Sequence, residues 1–363
     1  MKKKLMMFSS IVGQEKLKAA YIANIVNPSI GGLLVMGPKG SGKSTIVHSV
    51  EDILPDYTTI RDCAFNCRPD EECDYCGDKS KKDTVEKQMR VVTLPLSCTE
   101  DRLIGSIDIE LLMKEGRKQV IPGILGLANR NILYVDEVNL LPDHLVDDIL
   151  DAAASHVNVI EREGVSITHS SNFVLIGSMN PEEGELRPQI LDRFPLAVKV
   201  ETITDPEKRA EIVKRNLLFE DDYESYVSRF SEQQKQVRDS IPQARKNLGD
   251  VTVTDKQIFS VSSACGELKV DGQRPDIVII KTARTLAALR NSNYVTNTDI
   301  EEASTLALIH RTRDGGLLGP PEEEEILQVL NKHLPDEDED EGDKPPFIFE
   351  MDFEKRDSKK KAE

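Results

Sequence analysis

The sequence predicts an α/β protein with a parallel sheet core and a C-terminal helical lid. Three observations carry this. An unbroken apolar run, Leu33-Leu34-Val35-Met36, leads into a glycine-rich loop and then into Thr45-Ile46-Val47, which reads as a helix start. A second apolar run, Ile132-Leu133-Tyr134-Val135, ends in two acids, Asp136-Glu137. After Thr204-Asp205-Pro206, residues 207–315 keep helical spacing with no strand order. Short continuous apolar runs suit strands buried on both faces.

The length, 363 residues, allows two compact domains and a tail. The expected divisions are 1–205, 206–320 and 321–363. Aromatic residues are 5% and tryptophan is absent, so Leu, Ile, Val and Ala must build the core. The formal charge is -17, of which -9 falls in residues 321–363. That balance argues against nonspecific binding to nucleic acid backbones. No run of eighteen apolar residues predicts a membrane span. The basic start, Lys2-Lys3-Lys4, precedes too short an apolar stretch for a signal peptide. A cytoplasmic protein is expected, whose six cysteines are ligands or thiols more than disulfides.

In chain order, Leu17, Ala20, Tyr21 and Ile25 predict a helix that stops at Asn27-Pro28. It either lies over an adenine or merely packs. The loop Gly37-Pro38-Lys39-Gly40-Ser41-Gly42-Lys43-Ser44 has the spacing G-x-x-x-x-G-K-S between strand and helix. Its amides would cradle a polyphosphate, with Thr45 on the adjoining helix turn. Lys43 would reach the β- and γ-phosphates of ATP, and Ser44 would ligate Mg²⁺.

Cys63, Cys67, Cys73 and Cys76 follow with the spacing C-x3-C-x5-C-x2-C. Four thiolates so close would suit Zn²⁺ or an Fe-S cluster. Cys73 and Cys76 alone would make a redox pair, and plain reduced thiols in a loop are the remaining reading. Arg90–Leu96 reads as a strand, and residues 109–126, with Gly116 and Pro122-Gly123, as a two-stranded insert containing a turn. Asp136, about ninety residues beyond the glycine loop, would hold Mg²⁺ through water. Glu137 would orient and partly deprotonate the attacking water.

Leu145–Ala154 has amphipathic helical spacing, and residues 156–168 carry a hairpin signal around Gly164. Phe173–Gly177 reads as a further buried strand, and Asn180-Pro181 ends it. Asn180 would touch the γ-phosphate or the water, or only form the turn. Arg187 and Arg193 sit on one short predicted helix, able to reach a neighbouring subunit's nucleotide or to serve as surface charges. Arg274-Pro275 opens a long apolar helix, and Thr298-Asp299 is expected to cap the next. A helical piece near Glu322–His333 precedes six consecutive acids, Asp336 to Glu341, predicted to stay disordered.

Taken in order, these motifs resemble the AAA+ P-loop ATPases, and more narrowly the ATPase (I) subunit of magnesium chelatase. Ile11-Val12-Gly13-Gln14, Thr99-Glu100-Asp101-Arg102, Asn180-Pro181-Glu182-Glu183-Gly184, Leu186-Arg187-Pro188-Gln189 and Leu191-Asp192-Arg193-Phe194 carry the resemblance, which spans residues 8–315. It implies Asn180 as sensor 1, Arg193 as the arginine finger, Arg274 as the sensor 2 arginine of the lid, and Arg187 as a second boundary arginine. It also implies a homo-oligomeric ring, a hexamer. The implied partners are an AAA+ subunit bearing an I domain and a large tetrapyrrole-binding subunit. The four-cysteine loop and the acidic tail stand outside the family pattern. Competing readings are a MoxR-like chaperone that matures a metalloenzyme with an I-domain partner, a nucleotide-gated scaffold, and a DNA motor disfavoured by the acidic charge.

Overall fold

The computed structural model describes residues 4–71, 83–107, 120–162 and 165–335. Five strands form one parallel sheet, in the order β11-β1-β10-β7-β4. These are β1 (Gly32–Met36), β4 (Val91–Leu94), β7 (Ile132–Val135), β10 (Val174–Met179) and β11 (Leu196–Lys199). Val35 pairs with Ser178, and Gly177 with Val135. The C-terminal ends of β1, β10 and β7 therefore lie side by side. In open α/β sheets, ligands bind at that edge.

The strands are near-continuous Leu, Ile and Val runs because helices cover both faces. α1 (Glu15–Val26) is the most enclosed. Leu17 through Val26 are all buried, Lys18 and Asn24 included, so the helix is enclosed on every side. α2 (Lys43–Ser49) follows the glycine loop. Gly42 caps it at φ 85, a left-handed conformation that strains a side-chain-bearing residue.

Three two-stranded ribbons project from this core. β2 (Asp56–Ile60) pairs with β3 (Thr84–Gln88), a ribbon the sequence did not announce because its outer positions are polar and exposed. After the short α3 (Glu100–Ile104), β5 (Gly105–Ile107) pairs with β6 (Val120–Pro122). The insert thus begins before residue 109; of its expected turn residues Gly116 lies outside the described residues, while Pro122 closes the second strand and Gly123 follows it. α4 (Ile124–Ala128) and α5 (Asp143–Ser155) come next, the latter matching the amphipathic segment. β8 (Val157–Arg162) and β9 (Val165–Ser170) form the expected hairpin. A satellite core of Ile60, Cys63, Phe65, Cys67, Ile107, Val120 and Ile160 ties the three ribbons together.

α6 is a single turn, Pro188–Leu191. Arg187 and Arg193 therefore flank it rather than ride on it. The helical part runs through α7 (Pro206–Asp221), α8 (Tyr223–Asn247), α9 (Asp255–Glu267), α10 (Arg274–Leu289), α11 (Asn297–Leu308) and α12 (Glu323–His333). It is not a detached cap. α8 lies along α1, and Arg245 donates to the carbonyl of Ile25 at 2.6 Å. α11 starts at a capping box built by Thr296 and Asp299, two residues before the expected Thr298. Asp299 also forms a buried ion pair with Arg290.

Ile326, Val329 and Leu330 of α12 are buried against α9 and α11. The packed chain consequently continues to Pro335 instead of giving way to a tail at residue 321. The apolar stripe of α12 explains this, since acids dominate only its first turn. The acidic run lies outside the described residues. Among those described, no helix is long and apolar enough to cross a membrane.

Candidate nucleotide-binding site

The glycine loop leaves β1 at Gly37, whose amide donates to Met179 O at 3.1 Å. Ser41 Oγ closes the loop onto Pro38 O at 2.9 Å. Lys43 Nζ donates to Gly37 O at 2.6 Å and Pro38 O at 2.8 Å, folding the ammonium over its own loop. Burial holds this ammonium below the usual lysine range, and the carboxylates of Asp136, Glu137 and Glu183 offset part of the effect. An incoming phosphate would exchange two neutral acceptors for charged ones, which form the stronger bond.

Two strands over, beyond β10, Asp136 and Glu137 follow β7. Tyr134 Oη donates to Asp136 Oδ1 at 2.7 Å and lies 3.2 Å from Ser44 Oγ. Ser178 Oγ, at the end of β10, donates to the same Oδ1 at 2.6 Å. The chain therefore links the proposed metal residues Ser44 and Asp136 through one phenol. Burial pushes that phenol up to about 12, so it stays protonated and donates. Neither Tyr134 nor Ser178 stood out in the sequence. Each sits in an apolar strand run; alternation along β7 puts Tyr134 on the same face as Asp136, and the adjacency of β10 brings Ser178 to it.

Glu137 adopts φ 52, ψ 56, a left-handed conformation rare for a glutamate. Two bonds over-determine it: its amide donates to Ser178 Oγ at 3.1 Å, and its carbonyl accepts from Leu140 N at 2.9 Å. Such strain gathers at functional positions. Asn180 is buried one residue beyond β10, where its Oδ1 accepts from Glu182 N at 3.2 Å. The turn-forming role is thus present, and Asn139 Nδ2 donates to the Asn180 carbonyl at 3.4 Å.

A cavity of about 230 Å³ adjoins the loop. Gly40 and Thr45 form one side, Ile11, Val12 and Leu17 another, and Ile212 with Asn216 of α7 the third. Its mostly apolar lining suits a planar base. The start of α1 contributes, as the adenine-covering option required, and α7 is the wall that periodicity missed. Arg215, also lining it, is buried, paired with Glu211 at 2.7 Å and bonded to Ser10 O at 2.9 Å.

The other three arginines lie elsewhere. Arg193 pairs with Asp151 at 2.8 Å and Asp147 at 3.6 Å, and Arg187 with Asp143 at 3.2 Å, all along α5. Arg274, at the start of α10, feels the charge of Arg193. Desolvation first, then that neighbour, holds it below the usual arginine range. Arg274 does not line the cavity beside its own glycine loop. Cys63 and Cys67 are buried on the turn after β2. Cys73 and Cys76 lie outside the described residues, among which no group of three metal-ligating side chains occurs.

Parallel sheet, glycine loop, paired acids and helical lid define an AAA+ P-loop protein. Residues 7–186 match the family described as magnesium chelatase, subunit ChlI, and residues 258–331 match the AAA lid domain. A magnesium-chelatase subunit ChlI homolog from Methanocaldococcus jannaschii is 49% identical over 331 residues, covering 90% of each chain. Magnesium-chelatase subunit ChlI of Mesostigma viride is 45% identical, covering 84% of this chain and 87% of its own. A solved complex between subunits BchI and BchD of magnesium chelatase contains a chain 36% identical to this one, with a TM-score of 0.52 over 90% of this chain and 100% of that one. A structure from Cytophaga hutchinsonii, 16% identical with a TM-score of 0.59 over 90% of this chain and 91% of its own, speaks to the fold alone. The chain belongs to the magnesium chelatase ChlI subunit family.

Proposed function

We propose that this chain is the ATP-hydrolysing motor subunit of a magnesium-chelatase-like complex, driving metal insertion into a tetrapyrrole through partner subunits in the cytoplasm. One observation carries the reading. Ser44, Tyr134, Ser178 and Asp136 form a continuous hydrogen-bonded set between the phosphate loop and the acid strand. Hard oxygen donors of this kind fit Mg²⁺. Bound there, Mg²⁺ would neutralise charge on the β- and γ-phosphates. The residues do the rest. Tyr134 and Ser178 fix Asp136 through Oδ1, and the carboxylate so oriented would help hold the Mg²⁺. Lys43 swings from its loop carbonyls to the phosphates. Glu137 holds and polarises the attacking water, and Asn180 would orient it.

In this proposal Arg193 acts in a neighbouring copy's site. Its partners on α5 are exposed carboxylates, and such pairs are worth little, so it can leave them cheaply. Arg274, beside Arg193 rather than beside Lys43, would act at that same boundary. The ring, the I-domain-bearing AAA+ partner and the tetrapyrrole-binding subunit belong to this reading, which the named BchI–BchD complex supports.

The test is reconstitution. The purified chain, combined with an I-domain AAA+ subunit and a porphyrin-binding subunit, should metallate a porphyrin only with ATP and Mg²⁺. ATP turnover without metallation, together with co-purification of an immature metalloenzyme, would overturn the client assignment.

The Cys-rich turn would hold a structural Zn²⁺. Cys63 and Cys67 already share the buried satellite core, and the Cys73 and Cys76 spacing would complete four thiolates. Metal analysis should then find about one zinc per chain, lost in Cys63→Ser and Cys67→Ser. Visible absorption with bound iron would instead assign a cluster. No metal at all would leave inert thiols.

A further inference from the structure

We propose that residues just after lid helix α11 set the position of Arg193, through a latch whose anchor is Asp192. This rests on the reading of Arg193 as the group given to a neighbouring nucleotide. Asp192–Pro195 joins α6 to β11. The stretch is short, yet the residues 310–312, more than a hundred positions along the chain, grip it from one side. Thr312 N donates to Asp192 Oδ1 at 3.0 Å, and Thr312 Oγ1 donates to Oδ2. Arg311 donates to Asp192 O and, at 3.2 Å, to Pro195 O. His310 Nε2 donates to Phe194 O at 2.8 Å. The backbone carbonyls on both sides of Arg193 are held.

The opposite side is clamped as well. The Phe194 ring is fully buried, and a side chain at Gly177 of β10 would meet it at 3.0 Å. Glycine at that strand position lets the ring seat. The backbone of Arg193 is therefore fixed between sheet and lid, while its side chain projects to Asp147 and Asp151 on α5.

His310 and Arg311 are buried, so water cannot stand in for these bonds. Burial pushes the His310 imidazole down to about 3. It is neutral, with its one N–H committed to Phe194 O and Nδ1 left without a partner. A lid that shifts against the sheet must therefore carry Asp192–Pro195 with it. The arginine offered to the next copy then reports the state of this copy's lid. Asp192 and Thr312 are positioning residues that touch no substrate. Displacing a catalytic group by about 1 Å costs on the order of a hundredfold in rate.

The test uses mixed assemblies of two inactive copies. Lys43→Ala keeps the arginine and loses the pocket, while Arg193→Ala keeps the pocket. Their mixture should turn over ATP at shared sites. Thr312→Val placed in the Lys43→Ala copy should lower that rate about tenfold or more with little change in KM. The same substitution in the Arg193→Ala copy should change it less than about twofold, since that copy supplies no arginine. Asp192→Asn should show the same asymmetry. Equal loss from either copy would make the contact merely structural and overturn the latch. An inactive parent mixture, with mixed assemblies demonstrably formed, would remove the neighbour-supplied arginine, and the latch with it.

Discussion

Glu137→Gln should bind ATP as tightly as the unaltered chain and hydrolyse it about 10²–10⁴-fold more slowly, the usual contribution of a positioned base. The substitution keeps length and shape, and the amide can still occupy the site. It removes the negative charge that draws a proton from water. The backbone should not relax, because the left-handed turn at residue 137 is held by main-chain atoms and Ser178 rather than by the carboxylate. Binding of a fluorescent ATP analogue and steady-state phosphate release measure the two halves separately. Lost binding would mean that Glu137 supports the loop, and unchanged turnover would move the base elsewhere.

The second large effect is expected between copies. Lys43→Ala and Arg193→Ala should each be nearly inactive alone. Lys43 lies over its own glycine loop, and the proposal has it reach phosphate in that same chain. Arg193 is displaced from that cradle, on the α5 side of the molecule. An arginine delivered by a neighbour is worth about 10³–10⁵-fold in turnover where such fingers operate. Mixed, the two variants should regain a measurable fraction of activity, because some boundaries then pair an intact pocket with an intact guanidinium. Arg193→Lys should not substitute well, since an ammonium lacks the planar fork that bridges two phosphoryl oxygens. Phosphate release against mixing ratio should pass through a maximum near equal proportions. A flat line at the parental level, with mixed rings present, would place the arginine's role within one chain.

Other parts of the molecule differ in how far their sequence announces them. The glycine loop and Asp136-Glu137 were plain because each is a local pattern tied to one strand end, and parallel strands buried on both faces are uniformly apolar. The hairpin at β8–β9 and the opening of α10 were equally local. The β2–β3 ribbon was hidden because its alternation is weak and its pairing spans the Cys-rich connection. α12 was read as part of a tail because neighbouring acids dominate composition there, whereas three apolar residues at helical spacing decide its packing. Ser178 gave no signal, since a hydroxyl within an apolar strand declares itself only when the adjacent strand is known, and Tyr134, two residues before Asp136, was hidden by the apolar run around it.

Sequence alone determined which motifs this chain carries: a glycine loop between strand and helix, a pair of acids at a buried strand end, and the family in which these occur together. Those are contiguous motifs whose backbone geometry follows from a few residues. Which side chains meet was decided only by tertiary structure. Strand order brought Ser44, Tyr134, Ser178 and Asp136 onto one hydrogen-bonded path, and docking of α11 put Thr312 on Asp192. Contacts between residues a hundred positions apart depend on the packing of the whole core, which no local spacing encodes.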